Sequence, residues 1–189
     1  MMQLSDRRRH ALATVLALGL AATASDAASG ATVHAQLRAP GAAWLSDGKP
    51  DAPRQATMRN VDKSFVPDIL VVPVGSTILF PNDDPFYHSI YSLSKADPFD
   101  IGFYDTGPGK IVPFTTAGVV LVSCHIHASM RATILVVDGP EQQSAGAVRF
   151  DDVPGGTFVL HAWSEALGER TTTVQVNSAK ANVTLPDAL

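Results

Sequence analysis

Short β-branched runs, broken by Gly, Pro and Asp, recur from residue 31 onward and leave no stretch with the 3.6-residue period of an amphipathic helix. The segments ATVHAQLRA, DILVVPVGSTILFPN, HSIYSLS, IVPFTTAGVVLVSC, ATILVVDG, AVRFDDVPGGTFVLHAW and RTTTVQV have strand length and strand composition. Only SEALGE leaves room for a helical turn. Within the runs, VPVGST, TTAGVV and VPGGTF each predict a turn between two apolar strands. The fold class is therefore all-β, a β-sandwich. In it, Cys124 falls where the buried strand VVLVSC gives way to a loop.

The first residues read as an address. Arg7, Arg8 and Arg9 precede the apolar run ALATVLALGLAA, and small residues follow it. This pattern predicts a secretory signal peptide over residues 1–27, with cleavage after Ala24, Ala27 or Ala28. The adjacent arginines also permit a twin-arginine route. The apolar run falls short of the roughly 20 residues that span a bilayer, so no stable membrane insertion of the mature chain is expected. The expected location is periplasmic or otherwise exported. The formal net charge is −4, and it becomes more negative without a leader that carries three arginines against two aspartates. Nucleic acid is therefore not an expected partner. An exported compartment oxidises paired thiols, yet Cys124 is the only cysteine and has no partner within the chain for a disulfide.

The chemistry concentrates in LVSCHIHASM. Cys124, His127 and Met130 form Cys-x2-His-x2-Met and offer a thiolate, an imidazole and a thioether from one loop. A second imidazole at another strand end would complete a trigonal site of two histidines and a cysteine with a weak axial Met, the ligand set of a blue-copper electron-transfer centre. His88, in DPFYHSIYS, fits that place. A structural zinc site would more often use two to four cysteines and rarely a thioether. The bland alternative is a buried free cysteine whose neighbouring histidines only finish the loop.

The stretch from MRNVDKSF through CHIHASMRATILVV resembles the cupredoxin family, on the motifs VPVGSTILFPN, the histidine of DPFYHSIYS, and CHIHASM. Within that family it looks especially like plastocyanin- and amicyanin-like domains and the periplasmic proteins labelled methylamine utilization proteins. The resemblance covers residues 57–137. It implies a Greek-key β-sandwich holding one copper ion per chain, with His88, Cys124, His127 and Met130 as ligands. It also implies that His127 lies near the surface in an apolar patch through which electrons pass. Two departures bear on the potential. Ser89 stands where the family commonly has an Asn that ties the two ligand loops together, and its shorter side chain is expected to loosen that link. His125 and Ile126 stand where amicyanin-like loops often have a small polar residue and then Pro.

The flanks are strand-patterned too. Residues 143–189, alone or joined by 32–46, resemble a small carboxypeptidase-regulatory or transthyretin-like β module; the alternative is that these strands extend one sandwich. Trp163 is expected to pack in the core or between modules. His125 is expected to face away from the metal, because neighbours at a strand end point in opposite directions. His34 and His161 are expected to be ordinary strand histidines, although with His125 they are the material for a second site. Met58 reads as packing. The expected function is that of an exported type 1 copper electron carrier that serves unidentified redox partner proteins and transforms no substrate. The alternatives are a copper carrier or storage protein, or a subunit of a copper redox enzyme.

Overall fold

The computed structural model of the protein describes residues 30–46, 49–144, 146–177 and 182–184. The signal peptide assigned to residues 1–27 lies outside the described residues. Every regular element among the described residues is a strand. SEALGE, where a helical turn had room, forms the turn of a hairpin, closed by the Leu167 N–H donating to Ser164 Oγ at 3.2 Å. No helix among the described residues is long and apolar enough to cross a membrane.

The chain opens with β1 (Ala31–Gln36) and β2 (Gly41–Ser46). It continues through β3 (Gln55–Thr57), β4 (Arg59–Val61), β5 (Ser64–Val66), β6 (Ile69–Pro73), β7 (Thr77–Asn82) and β8 (His88–Ser92). Next come β9 (Phe99–Tyr104), β10 (Gly107–Pro113), β11 (Gly118–Cys124) and β12 (Arg131–Val137). The last strands are β13 (Glu141–Ser144), β14 (Ala147–Val153), β15 (Gly156–Ser164), β16 (Gly168–Val176) and β17 (Asn182–Thr184).

Two sheets take up the central part of the chain. One runs in the order β10, β7, β4, β5, with β3 also on β7; the other runs β6, β12, β11, β8, β9. Their inner faces close on one core that includes Ile78, Phe80, Ile90, Phe114, Val120, Val122, Ile134 and Val136. The turn predicted at VPVGST is present, with the Ser76 N–H donating to the Pro73 carbonyl at 3.1 Å and Gly75 at φ +87 supplying a backbone state that favours glycine.

The flanking strands build two further sheets, β14, β1, β17 and β13, β2, β15, β16. Strands from both ends of the described chain are therefore interleaved: β1 lies against β14, and β2 lies between β13 and β15. A second core fills the space between these sheets and includes Val33, Leu45, Phe150, Leu160 and Val174.

Alternation along the strands decides how the layers stack. On β2, Ala43 and Leu45 enter the second core while Ala42 and Trp44 face the other way. On β12, Ile134 and Val136 enter the first core while Leu135 and Val137 face outward. The outward sets meet, with Val71 and Trp163, in a third apolar cluster. Sheets therefore lie four deep. The near-continuous apolar run of β12 follows from this, since both of its faces are covered and polar alternation would leave unpaired groups inside. Trp163 is packing between layers, as its type and place predicted. Where the layers diverge, a cleft of about 750 Å³ opens between Leu121 and Ser123 on one side and Trp163 and Glu169 on the other.

Candidate metal centre

Three elements deliver the site. His88 begins β8, Cys124 ends β11, and the loop from Cys124 carries His127 and returns to Met130 at the start of β12. β8 and β11 pair directly, with Cys124 opposite Ile90, so the two strand ends are held side by side. The loop is closed by backbone hydrogen bonds: the Met130 N–H donates to the His127 carbonyl at 2.9 Å, and the Cys124 N–H to the Met130 carbonyl at 3.3 Å. The His125 N–H also donates to the Ser89 carbonyl at 2.9 Å. The link between the two loops, expected to be loosened by Ser89, is thus made through the main chain, which a shorter side chain leaves intact.

The donor atoms converge. His88 Nδ1 lies 3.7 Å and His127 Nδ1 lies 3.8 Å from Cys124 Sγ, and the three atoms all fall within 4.8 Å of one another. Bonds of about 2.0 Å to nitrogen and about 2.3 Å to sulfur, spread by about 120°, put nitrogen and sulfur about 3.7 Å apart; a tetrahedral angle would bring them to about 3.5 Å. Both nitrogen to sulfur separations are therefore of the size expected if the three atoms share one metal ion. His88, Cys124 and Met130 are buried and His127 is partly buried. Met130 belongs to the first core and sits at the end of the same closed loop.

The surroundings of the two imidazoles differ. Phe86 packs near both rings, 5.4 Å from His88 and 5.5 Å from His127 between centroids, and Lys63 Nζ lies 5.4 Å from the Phe86 ring centre. Tyr87 and Ile126 are exposed, each next in sequence to one of these rings. On the inner side, Tyr104 pairs with His88 across β8 and β9 and accepts a hydrogen bond from Asn60 Nδ2. Burial pushes the Tyr104 hydroxyl pKa upward. His88 Nε2 meets the buried carboxylate of Asp84 at 2.9 Å. Burial works to raise the pKa of Asp84, but hydrogen bonds from Lys63, His88 and Asp62 outweigh it and hold the carboxyl below its ordinary value.

Desolvation lowers the pKa of His127, helped by the charges of His88 and Lys63. A depressed pKa means that the folded chain binds this proton less readily than the unfolded chain. The associated stability is full above the unfolded value of about 6.5 and is lost as pH falls toward the lowered folded value. Urea unfolding of the metal-free protein is expected to show a midpoint that drops between about pH 7 and about pH 5, with a smaller drop in His127→Ala. An equal drop in the variant would contradict this assignment.

The remaining candidates are scattered. The His125 ring stacks on Tyr91 at 3.9 Å between centroids and meets Asp100 at 3.4 Å on the exposed face of the sheet, away from the convergent donors. His161 stacks on Trp44 at 4.7 Å and meets Glu169 at 2.9 Å. His34 sits on β1 opposite Arg149. These three histidines are not brought together. Met58 is a buried member of the first core. Asp84 was missed in the sequence, where nothing in NDDPF separates it from Asp83, whose carboxylate pairs with Arg59 instead.

Two packed sheets with a His-Cys-His group at one end are the arrangement that the sequence's resemblance to the cupredoxins implied. Among solved structures, the chain is similar to a Cu-containing nitrite reductase from Thermus scotoductus SA-01, at 28% identity and a TM-score of 0.43, over 47% of this chain and 23% of that one. It is also similar to a mutant of amicyanin in the Cu(I) form, at 17% identity and a TM-score of 0.41, over 50% of this chain and 98% of that one. A second amicyanin mutant, in the reduced state, gives 18% identity and a TM-score of 0.42 over the same shares. Neither a protein-family model nor a curated protein sequence matches the chain.

Proposed function

We propose that the protein is an exported type 1 copper electron carrier with one mononuclear site. His88 and His127 would supply the nitrogen donors, Cys124 the thiolate and Met130 a weak axial sulfur to the copper ion, which provides a one-electron couple. The observation that carries this reading is the pair of nitrogen to sulfur separations, 3.7 and 3.8 Å, at a buried cysteine that has no disulfide partner. Thiolate and thioether favour Cu(I) while imidazole suits both oxidation states, so a preformed compromise site need move little when an electron arrives or leaves. The main-chain closure of the loop and the packing of Phe86 supply that rigidity.

In this reading no substrate is transformed, and electrons pass through the His127 edge to redox partner proteins. The central sandwich is the copper domain, residues 57–137, and the flanking sheets form a separate β module made from residues 143–189 together with 32–46. A leader over residues 1–27 directs export.

Copper titration with electrochemistry tests the reading. One tightly bound copper per chain with a reversible couple is expected. Two or more would favour a redox enzyme, and ready transfer of the metal to an acceptor protein would favour a carrier or store. Met130→Leu is expected to keep the copper and shift its potential, because an axial ligand mainly tunes. Loss of copper binding in that variant would place Met130 among the strong ligands.

A further inference from the structure

Asp84 lies between β7 and β8 and is buried. Its two oxygens take three donors: Oδ1 receives the Asp62 N–H at 2.7 Å, and Oδ2 receives the Lys63 N–H at 3.0 Å and faces His88 Nε2 at 2.9 Å. Asp62 and Lys63 are the two central residues of the hairpin between β4 and β5, with φ of 51° and 58°. Successive left-handed residues belong to a tight primed turn, and here its two amides converge on one carboxylate. The loop that carries the acid is itself tied down. Asp84 N–H donates to Asn82 Oδ1 at 3.0 Å, Asn82 Nδ2 donates to the Phe86 carbonyl at 2.8 Å, and the Thr106 hydroxyl donates to the Asp84 carbonyl.

The two amides can only donate, and a carboxylate can only accept. With Asp84 accepting at both oxygens, His88 Nε2 must carry the imidazole proton, which leaves the Nδ1 lone pair directed at the place where Cys124 Sγ stands 3.7 Å away. We propose that Asp84 is a positioning residue for His88: it selects the Nε2–H tautomer, fixes the ring plane, and through its charge favours the more highly charged state of the bound ion. The inference rests on the copper reading above for its last part alone. Carboxylate partners of ligating histidines act in this way in metal sites generally, and their removal typically costs about 10–100-fold in metal affinity.

Two variants of the full-length protein separate the roles. Asp84→Asn keeps one acceptor oxygen, for His88 and the Lys63 N–H, removes the charge and turns an NH2 toward the Asp62 N–H, whereas Asp84→Ala removes both acceptor and charge. In the metal-free protein, nitrogen-15 shifts of His88 are expected to report the Nε2–H tautomer alone in the wild type and in Asp84→Asn. In Asp84→Ala they are expected to report a mixture. In the copper-loaded protein, Asp84→Asn is expected to weaken Cu(II) binding about tenfold more than Cu(I) binding, which for a one-electron couple raises the potential by about 59 mV. If Asp84→Ala does not fold, the potential of Asp84→Asn decides. A potential unchanged in Asp84→Asn, or a pure Nε2–H tautomer in folded Asp84→Ala, overturns the proposal. A wild-type protein that takes up no copper defeats the copper reading instead, and the tautomer measurement still decides the positioning role.

Discussion

Cu(II) added to the metal-free protein is expected to give an intense visible absorption band that Cys124→Ser abolishes. The band expected is thiolate-to-copper charge transfer, which needs the Cys124 sulfur bonded to the ion. Serine is close in size to cysteine, so the metal-free fold is expected to persist. What the variant lacks is a soft anionic donor, because a serine hydroxyl is neutral at pH 7. Since outer-shell changes alone typically cost about 10–100-fold in metal affinity, loss of this ligand is expected to cost at least about 100-fold. A colourless wild-type protein after Cu(II) loading would sink the proposed function, and an undiminished band in Cys124→Ser would assign the colour to another site.

Leu135→Ala is expected to destabilise the protein by about 2–5 kcal/mol, read from the urea midpoint. Leu135 points out of the central sandwich, and on an uncovered sheet its truncation would change stability by no more than about 0.5 kcal/mol. Here the side chain is fully buried among Ala42, Trp44, Val71 and Trp163, so the change opens a cavity between layers. The same packing couples the two inner cores, and a single unfolding transition is expected for both. A negligible effect of the substitution, or two transitions well apart, would show that the layers do not hold together in solution.

Most of the strands were legible because their signals are local. Turns at Gly and Pro and β-branched runs lie next to one another in the chain, and the covered strand β12 reads as a continuous apolar run. Cys124, His127 and Met130 were legible for a similar reason, since one loop supplies all three. His88 was found as the histidine at another strand end, and the pairing of β8 with β11 brings it into place. The direction of His125 followed from alternation. Asp84 and Asp83 are adjacent and identical, and their partners, a ligand imidazole and Arg59, are chosen by which way the loop turns. That choice depends on the hairpin between β4 and β5, which is distant in sequence. The main-chain bond from His125 to Ser89 was also hidden, because a sequence shows which side chains are present and not which backbone groups face one another.

The covered face of the β6 to β9 sheet casts a steric shadow. In a lone sandwich a visiting protein could settle on that flank and receive an electron sideways through the strand carrying the thiolate. Trp44 and Trp163 lie over β12 and β6 and fill that part of the flank with the chain's own side chains, while the cleft beside Leu121 and Ser123 leaves β11 open. Three approaches stay open: the loop end, where Tyr87 and Ile126 are exposed, the far edge at β8 and β9, where Phe103 is exposed, and the cleft along β11, where Leu121 is exposed. Collisions on the part of the flank that the flanking sheets cover would then be unproductive. For the proposed electron carrier, the layered architecture would trade breadth of encounter for direction, leaving exchange to visitors that arrive at the loop end, the far edge or the cleft.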